Sequence, residues 1–177
     1  MKKTLYFLGI LDDHDIEWMI RNGRKMTLAP GAQIIEQGKP TDSLYFVLDG
    51  ALVVHTPQAP RIAVLKAGEV VGEVSFVDSR PPSASVRAET PSVVGVIPRH
   101  LIAKKLQEDV GFSARFYRAM AVFLADRLRM TTGSLGTRAP QLDESIEDTD
   151  ELGAHLMASL SMAGLRFAEM QRRSWGA

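Results

Sequence analysis

The sequence predicts a mainly β chain with flanking helices, in which a sandwich or barrel of short strands is entered from a short helix and left by a long amphipathic one. Three observations carry that expectation. Between Met26 and Ile97, β-branched and aromatic runs are broken by Gly, Pro and Asp about every 8–12 residues. After Pro98 the apolar period changes from that of strands to spacings of three and four. The 177 residues are 45% hydrophobic, enough for one well-buried domain and an appendage, which excludes wholesale disorder.

In chain order, Asp12 or Asp13 supplies an N-cap, Ile16, Trp18, Met19 and Ile20 fit a short helix, and Gly23 closes it. The strand signals are Ile34-Ile35, Leu44 to Leu48, Leu52 to Val54, Ile62 to Leu65 and Val93 to Ile97. Asp49-Gly50, set between LYFVL and ALVVH, is the strongest hairpin signal in the chain. Leu101 to Leu106 suggests one or two helical turns. Then Phe112, Phe116, Met120, Phe123, Leu124, Leu128, Thr131 and Leu135 form one narrow apolar seam, with Arg115, Arg118, Arg127 and Arg129 on other faces. Gly133, Gly136 and Pro140 break that helix, and Leu152, Leu156, Leu160, Ala163, Phe167 and Met170 outline a last one.

Charge and composition narrow the function. Lys+Arg and Asp+Glu are 21 each, so the chain lacks the basic excess of a nucleic-acid binder. Residues 139–177 hold seven acids against three bases, a net −4, and read as a separate acidic module. The absence of cysteine excludes disulfides, thiolate metal sites and cysteine nucleophiles, and suits a reducing compartment. MKKTLYFLGILDD has no small-residue cleavage site and meets Asp12-Asp13 at once, which argues against a secretory signal; no apolar run approaches the ~20 residues of a membrane span. A cytoplasmic, non-membrane protein is expected. His14, His55, His100 and His155 share no ligand spacing, so no metal site is expected. No nucleophile-base pair, phosphate-binding Walker loop or paired-carboxylate constellation supplies catalytic residues, so no enzyme is expected.

The motifs in their order resemble the cyclic nucleotide-binding domain, the sensor module of catabolite activator proteins, protein kinase A regulatory subunits and cyclic-nucleotide-gated channels. The resemblance covers roughly residues 5–135. It is carried by Gly31 with Ile34-Ile35 and Gln37-Gly38, Leu44-Tyr45-Phe46-Val47 with Gly50, Gly68-Glu69 with Gly72-Glu73, and Ser83-Ala84-Ser85-Val86 with Ala88. It implies a double-stranded β-helix, a jelly-roll or cupin-like β-roll, followed by a long amphipathic helix and a C-terminal helix. The implied division is 1–25 helical segment, 26–110 β-roll, 111–135 hinge and dimerisation helix, and 136–177 acidic linker and C-terminal helix. It implies a non-enzymatic sensor that binds cyclic AMP (cAMP) or cyclic GMP (cGMP), with no metal.

On that resemblance the stretch from residue 72 to 88, GEVSFVDSRPPSASVRA, is the phosphate-binding cassette. Glu73 matches the acceptor of the ribose 2′-hydroxyl, and the amides of Glu73, Val74 and Ser75 turn toward the cyclic phosphate. Ser83, with Ala84 and Ser85 beside it, matches a phosphate-contacting position, and Thr131 and Thr132 match hydroxyls presented to the base. One residue departs: Pro82 stands where the family has its phosphate-pairing arginine. Losing a charge-assisted hydrogen bond weakens binding on the order of ten- to a hundred-fold. Arg80, two residues earlier, is the nearest replacement, although Pro81-Pro82 stiffen the path between.

Each site residue also has a plainer role. Glu73 suits a helix N-terminus, Ser83 and Ser85 suit local amides, Arg80 suits solvent, and Thr131-Thr132 suits a helix end. The expected partners are a second copy through residues 112–135 and a protein bound by the C-terminal helix; neither nucleic acid nor membrane is expected. The alternatives are a degenerate domain that serves only interaction or dimerisation, and a DNA-binding regulator. For the last, the 42 residues from 136 to 177 are few and acidic.

Overall fold

The structure, a computed structural model, describes the backbone of residues 3–135 and 150–176 and the side chains of residues 7–129 and 161–176. Helices α1 (Lys3–Ile10) and α2 (Asp13–Asn22) open it. Asp12 is the N-cap of α2: its carboxylate accepts from the Asp15 amide at 2.9 Å, and the Asp15 carboxylate accepts from the Asp12 amide at 2.9 Å. Asp15 is 2% exposed and also accepts Nε and Nη2 of Arg115 at 2.7 and 2.8 Å. Hydrogen bonding to Asp15 in turn holds the Arg115 guanidinium pKa above its usual range. One buried carboxylate thus caps a helix and ties it to residues far along the chain.

Eight strands follow among the described residues: β1 (Arg24–Leu28), β2 (Gln33–Ile35), β3 (Ser43–Asp49), β4 (Ala51–His55), β5 (Ala63–Lys66), β6 (Val70–Val71), β7 (Ser85–Ala88) and β8 (Ser92–Pro98), with helix α3 (Glu73–Asp78) between β6 and β7. They make two four-stranded antiparallel sheets in the orders β1-β8-β3-β6 and β2-β7-β4-β5. Between them Val47, Leu52, Leu65, Val71, Val94 and Val96 form the interior of the roll. The run LYFVL is apolar on both faces because β3 is covered on both. Leu44, Phe46 and Leu48 join a second core with the helices, while Tyr45 and Val47 face the roll.

The hairpin expected at Asp49-Gly50 does not form. β3 pairs with β6 and β8, whereas β4 pairs with β5 and β7, so the turn is a corner at which the chain leaves one sheet for the other. Gly50 takes φ +83° there. The buried Ser92 hydroxyl fastens the corner, accepting from the Ala51 amide at 3.1 Å and donating to the Thr90 carbonyl at 2.8 Å.

The helical side is completed by α4 (Arg99–Glu108), α5 (Val110–Leu135) and α6 (Asp150–Arg172). α4 is longer than the one or two turns expected. The single seam expected on α5 separates into two stripes. Phe112, Phe116, Ala119, Met120 and Phe123 are buried, with the Phe116 ring 5.9 Å from Phe7, 5.7 Å from Phe76 and 5.4 Å from Phe112. Leu128 belongs instead to an outer stripe with Val110, Ala114, Tyr117 and Ala121; Leu124 completes its alternating spacing of four and three but is half-buried against the helical core. Val110, Tyr117 and Leu128 on it are 81%, 49% and 65% exposed.

α6 lies against α1, α2 and β3. Arg166 Nε donates to Asp13 Oδ1 at 2.7 Å and Arg166 Nη1 to the Leu8 carbonyl at 3.0 Å. Gln171 Nε2 donates to the Leu48 carbonyl at 2.6 Å, and Trp175 packs on Gly23 and Gly95. Gly23 is extended at φ −101°, not in the left-handed conformation of a capping glycine. Its missing side chain makes room for the indole.

Candidate functional site

The loop between β6 and β7 is built around one conformation. Gly72 takes φ +91°, and a Cβ there would stand 3.0 Å from the Ser43 carbonyl, so both the turn and the close approach require glycine. Gly72 is the N-cap of α3 and offers no side-chain cap. Ser79 ends α3 at φ +59°, the one positive-φ residue other than glycine among those described. The Arg80 amide donates to Asp78 Oδ1 at 3.0 Å, and the Pro82 carbonyl accepts from the Gly38 amide at 2.9 Å. The segment Arg80-Pro81-Pro82 is thereby pinned at both ends before β7 begins.

Under this loop lies a concavity of about 640 Å³, within the range of small-molecule sites. Ile35, Val54, Leu65, Val71 and Val86 form its apolar wall; Glu73, Asp78, Arg80, Ser83 and Arg127 bring polar groups to it. A smaller concavity of about 330 Å³ between α3, α4 and α5 offers only Arg99 as a charged group, and Arg99 Nη2 already donates to the Phe76 carbonyl at 3.2 Å. The larger one carries the chemistry.

Glu73 sits 2% exposed at the start of α3. Arg127 Nη1 donates to its Oε1, Arg127 Nη2 lies 3.9 Å from Glu69 Oε2, and the guanidinium stacks 5.2 Å from the Phe123 ring centroid. Burial pushes the Glu73 carboxyl above its ordinary value of 4.5, against the opposing pull of Arg127 and of the Glu73 and Gly72 amides that face it. The site therefore holds a desolvated carboxylate, steadied by one cation from α5, at the mouth of an apolar hollow. Such a group accepts hydrogen bonds from neutral hydroxyls strongly.

Of the residues expected from the sequence, Gly72, Glu73, Val74, Ser75, Arg80, Ser83 and Ala84 line this one concavity. Ser85 lies outside the lining, and its hydroxyl accepts from the Gln37 amide at 3.0 Å. Thr131 and Thr132 lie on the last turns of α5, with side chains outside the described residues. Arg127 was not foreseen: it was set only on a face of its helix other than the apolar seam. The available signal was spacing, since Arg127 precedes Thr131 by four residues and shares its face of the helix. Among the described residues there is no group of three or more His, Asp or Glu placed to hold a metal ion, and no helix is long and apolar enough to cross a membrane.

Comparison with known proteins agrees with this geometry. Residues 25–109 match the family described as Cyclic nucleotide-binding domain. Glutaminase 1 of Bradyrhizobium diazoefficiens is 33% identical over 102 residues, which are 58% of this chain and 16% of that protein. A cyclic nucleotide-binding domain from Methylobacillus flagellatus superposes with a TM-score of 0.68 at 21% identity, covering 79% of this chain and 85% of that one. The catabolite activator protein of Thermus thermophilus superposes at 0.61 with 18% identity, covering 93% and 86%. The chain spans between 16% and 27% of the length of the first curated relatives it matches. Sequence match and two-sheet roll converge on the same stretch, and residues 25–109 are a domain of the cyclic nucleotide-binding family.

Proposed function

We infer that the chain is a regulatory module without catalytic chemistry of its own, which takes a nucleotide- or nucleoside-class ligand in the concavity and passes its presence to α5. The observation that carries this reading is the buried Glu73 carboxylate on the wall of a hollow of about 640 Å³. A ribose hydroxyl donating to Glu73 shares that carboxylate with Arg127, so occupancy bears directly on the turn of α5 that supplies Arg127. Phe76 of α3 against Phe116 of α5, at 5.7 Å, is a second point of contact between the two helices. The shift in α5 is bounded by the ligand's differential affinity for its two packings.

The outer stripe of α5 supports pairing with a second copy. Alternating spacings of four and three are the a and d positions of a coiled coil, and an exposed line of Val110, Tyr117 and Leu128 favours coverage. Tyr117→Glu, which sets a charge on that line and leaves the inward stripe intact, is expected to convert a dimer to monomers in sedimentation equilibrium. A wild-type chain already monomeric at high concentration removes this part of the account.

The ligand reading is tested by amide NMR shifts at Gly72 to Ser75 as nucleosides and cyclic nucleotides are added to millimolar concentration. Shifts in the wild-type protein, absent in Glu73→Ala, are expected. Pro82, which removes a phosphate-pairing cation, supports the second reading of a degenerate interaction module. Under that reading no compound moves these amides and Glu73→Ala matches the wild type in every partner assay.

A further inference from the structure

Resting on the reading of the concavity as a ligand site, we propose that it selects an uncharged nucleoside over the corresponding cyclic nucleotide. The charged side chains that line it, Glu73, Asp78, Arg80 and Arg127, are two of each sign and give no positive field for an anion. Arg127 is engaged by Glu73 and lies near Glu69. Arg80 stands on the exposed rim of the loop, its amide tied back to Asp78. Between that rim and β7 the Gly38 amide holds the Pro82 carbonyl, so a pyrrolidine ring and not a guanidinium is fixed as the wall.

The consequences for a guest follow from desolvation. A cyclic phosphate entering beside Pro81 and Pro82 would leave water without gaining a buried cation, in a hollow that already contains the Glu73 carboxylate. Of the amides expected to face a phosphate, that of Glu73 faces the carboxylate instead, and the Gly72 amide joins it there. The sugar hydroxyls of a nucleoside still find Glu73, and a flat base still finds the apolar wall of Ile35, Val54, Leu65 and Val86. Removing the phosphate therefore removes the cost and keeps both attractions.

Calorimetric titration of the full chain with adenosine, guanosine, cyclic AMP and cyclic GMP tests this. At least one nucleoside is expected to bind about tenfold or more tightly than its own cyclic monophosphate, and Pro82→Arg is expected to reverse that order by restoring a cation at the wall. The wild-type comparison suffices if Pro82→Arg fails to fold. Wild-type protein that binds the cyclic monophosphate as tightly as the nucleoside, and loses it on Arg80→Ala, overturns the proposal and makes Arg80 the phosphate ligand. Absence of heat with all four compounds overturns the ligand-site reading itself, and the two failures are thereby distinct.

Discussion

Trp175→Ala is expected to destabilise the protein by about 3–5 kcal/mol and to release α6 from the body of the domain. The indole is 9% exposed and its Nε1 donates to the Met170 carbonyl at 3.0 Å. It occupies a slot that two glycines make: a Cβ at Gly95 would lie 2.3 Å from the ring, and one at Gly23 would lie 2.7 Å from it. The Gly176 amide, donating to the Ile20 carbonyl at 3.0 Å, closes the same slot. For a chain of this length the loss corresponds to a fall in Tm on the order of 10 °C. Gly95→Ala should approach the same outcome without touching the tryptophan, by filling the slot. Its mark would be a red-shifted tryptophan emission together with early proteolysis within residues 150–176. Unchanged melting of both variants would mean that α6 rests on the domain without contributing to it.

Arg127→Ala is the second large effect, expected at about 2–4 kcal/mol. Removing one member of a buried ion pair costs about 3–5 kcal/mol because the other charge remains buried. Here the guanidinium is 34% exposed and the carboxylate 2%, which places the expectation below the fully buried case. The pH dependence has a definite sign. Burial raises the folded-state pKa of Glu73 above 4.5, so its proton-linked stabilisation is complete below that value and is lost as pH rises through the raised pKa. Removing Arg127 takes away a cause that lowers this pKa. The deficit of Arg127→Ala should therefore be small in acid and grow toward neutral pH. Adding Glu73→Gln should recover much of it at pH 7, since an amide carries no charge to leave unpaired. A deficit that is independent of pH and not recovered by Glu73→Gln would assign the effect to lost packing over Phe123.

These contacts also explain how far the sequence could be read. The strands were legible because Val, Ile and aromatic runs between Gly and Pro breaks express a local preference that the fold keeps. The turn into α3 was legible for the same reason: Gly72 and Glu73 set the start of that helix within one short loop. What failed was pairing at a distance. Asp49-Gly50 has the local chemistry of a hairpin turn, yet the partners of β3 and β4 are chosen by the two cores that β3 separates. Arg127 reaches Glu73 across 54 residues, and no local pattern announces that meeting. The α1 segment has no polar face to mark a helical period, because α5 and α6 cover it from two sides. Gly23 does cap α2, its amide donating to the Met19 carbonyl, but the reason it is glycine lies far along the chain in Trp175.

The central claim is that Glu73, held by Arg127, links the contents of the concavity to α5. Amide hydrogen exchange measured with and without millimolar adenosine, and separately with millimolar cyclic AMP, tests it most directly. With the compound that binds, exchange should slow both at residues 72–78 and in the turn of α5 around Arg127, and both effects should vanish in Arg127→Ala. Slowing confined to residues 72–78, with α5 unchanged at saturation, would contradict the claim.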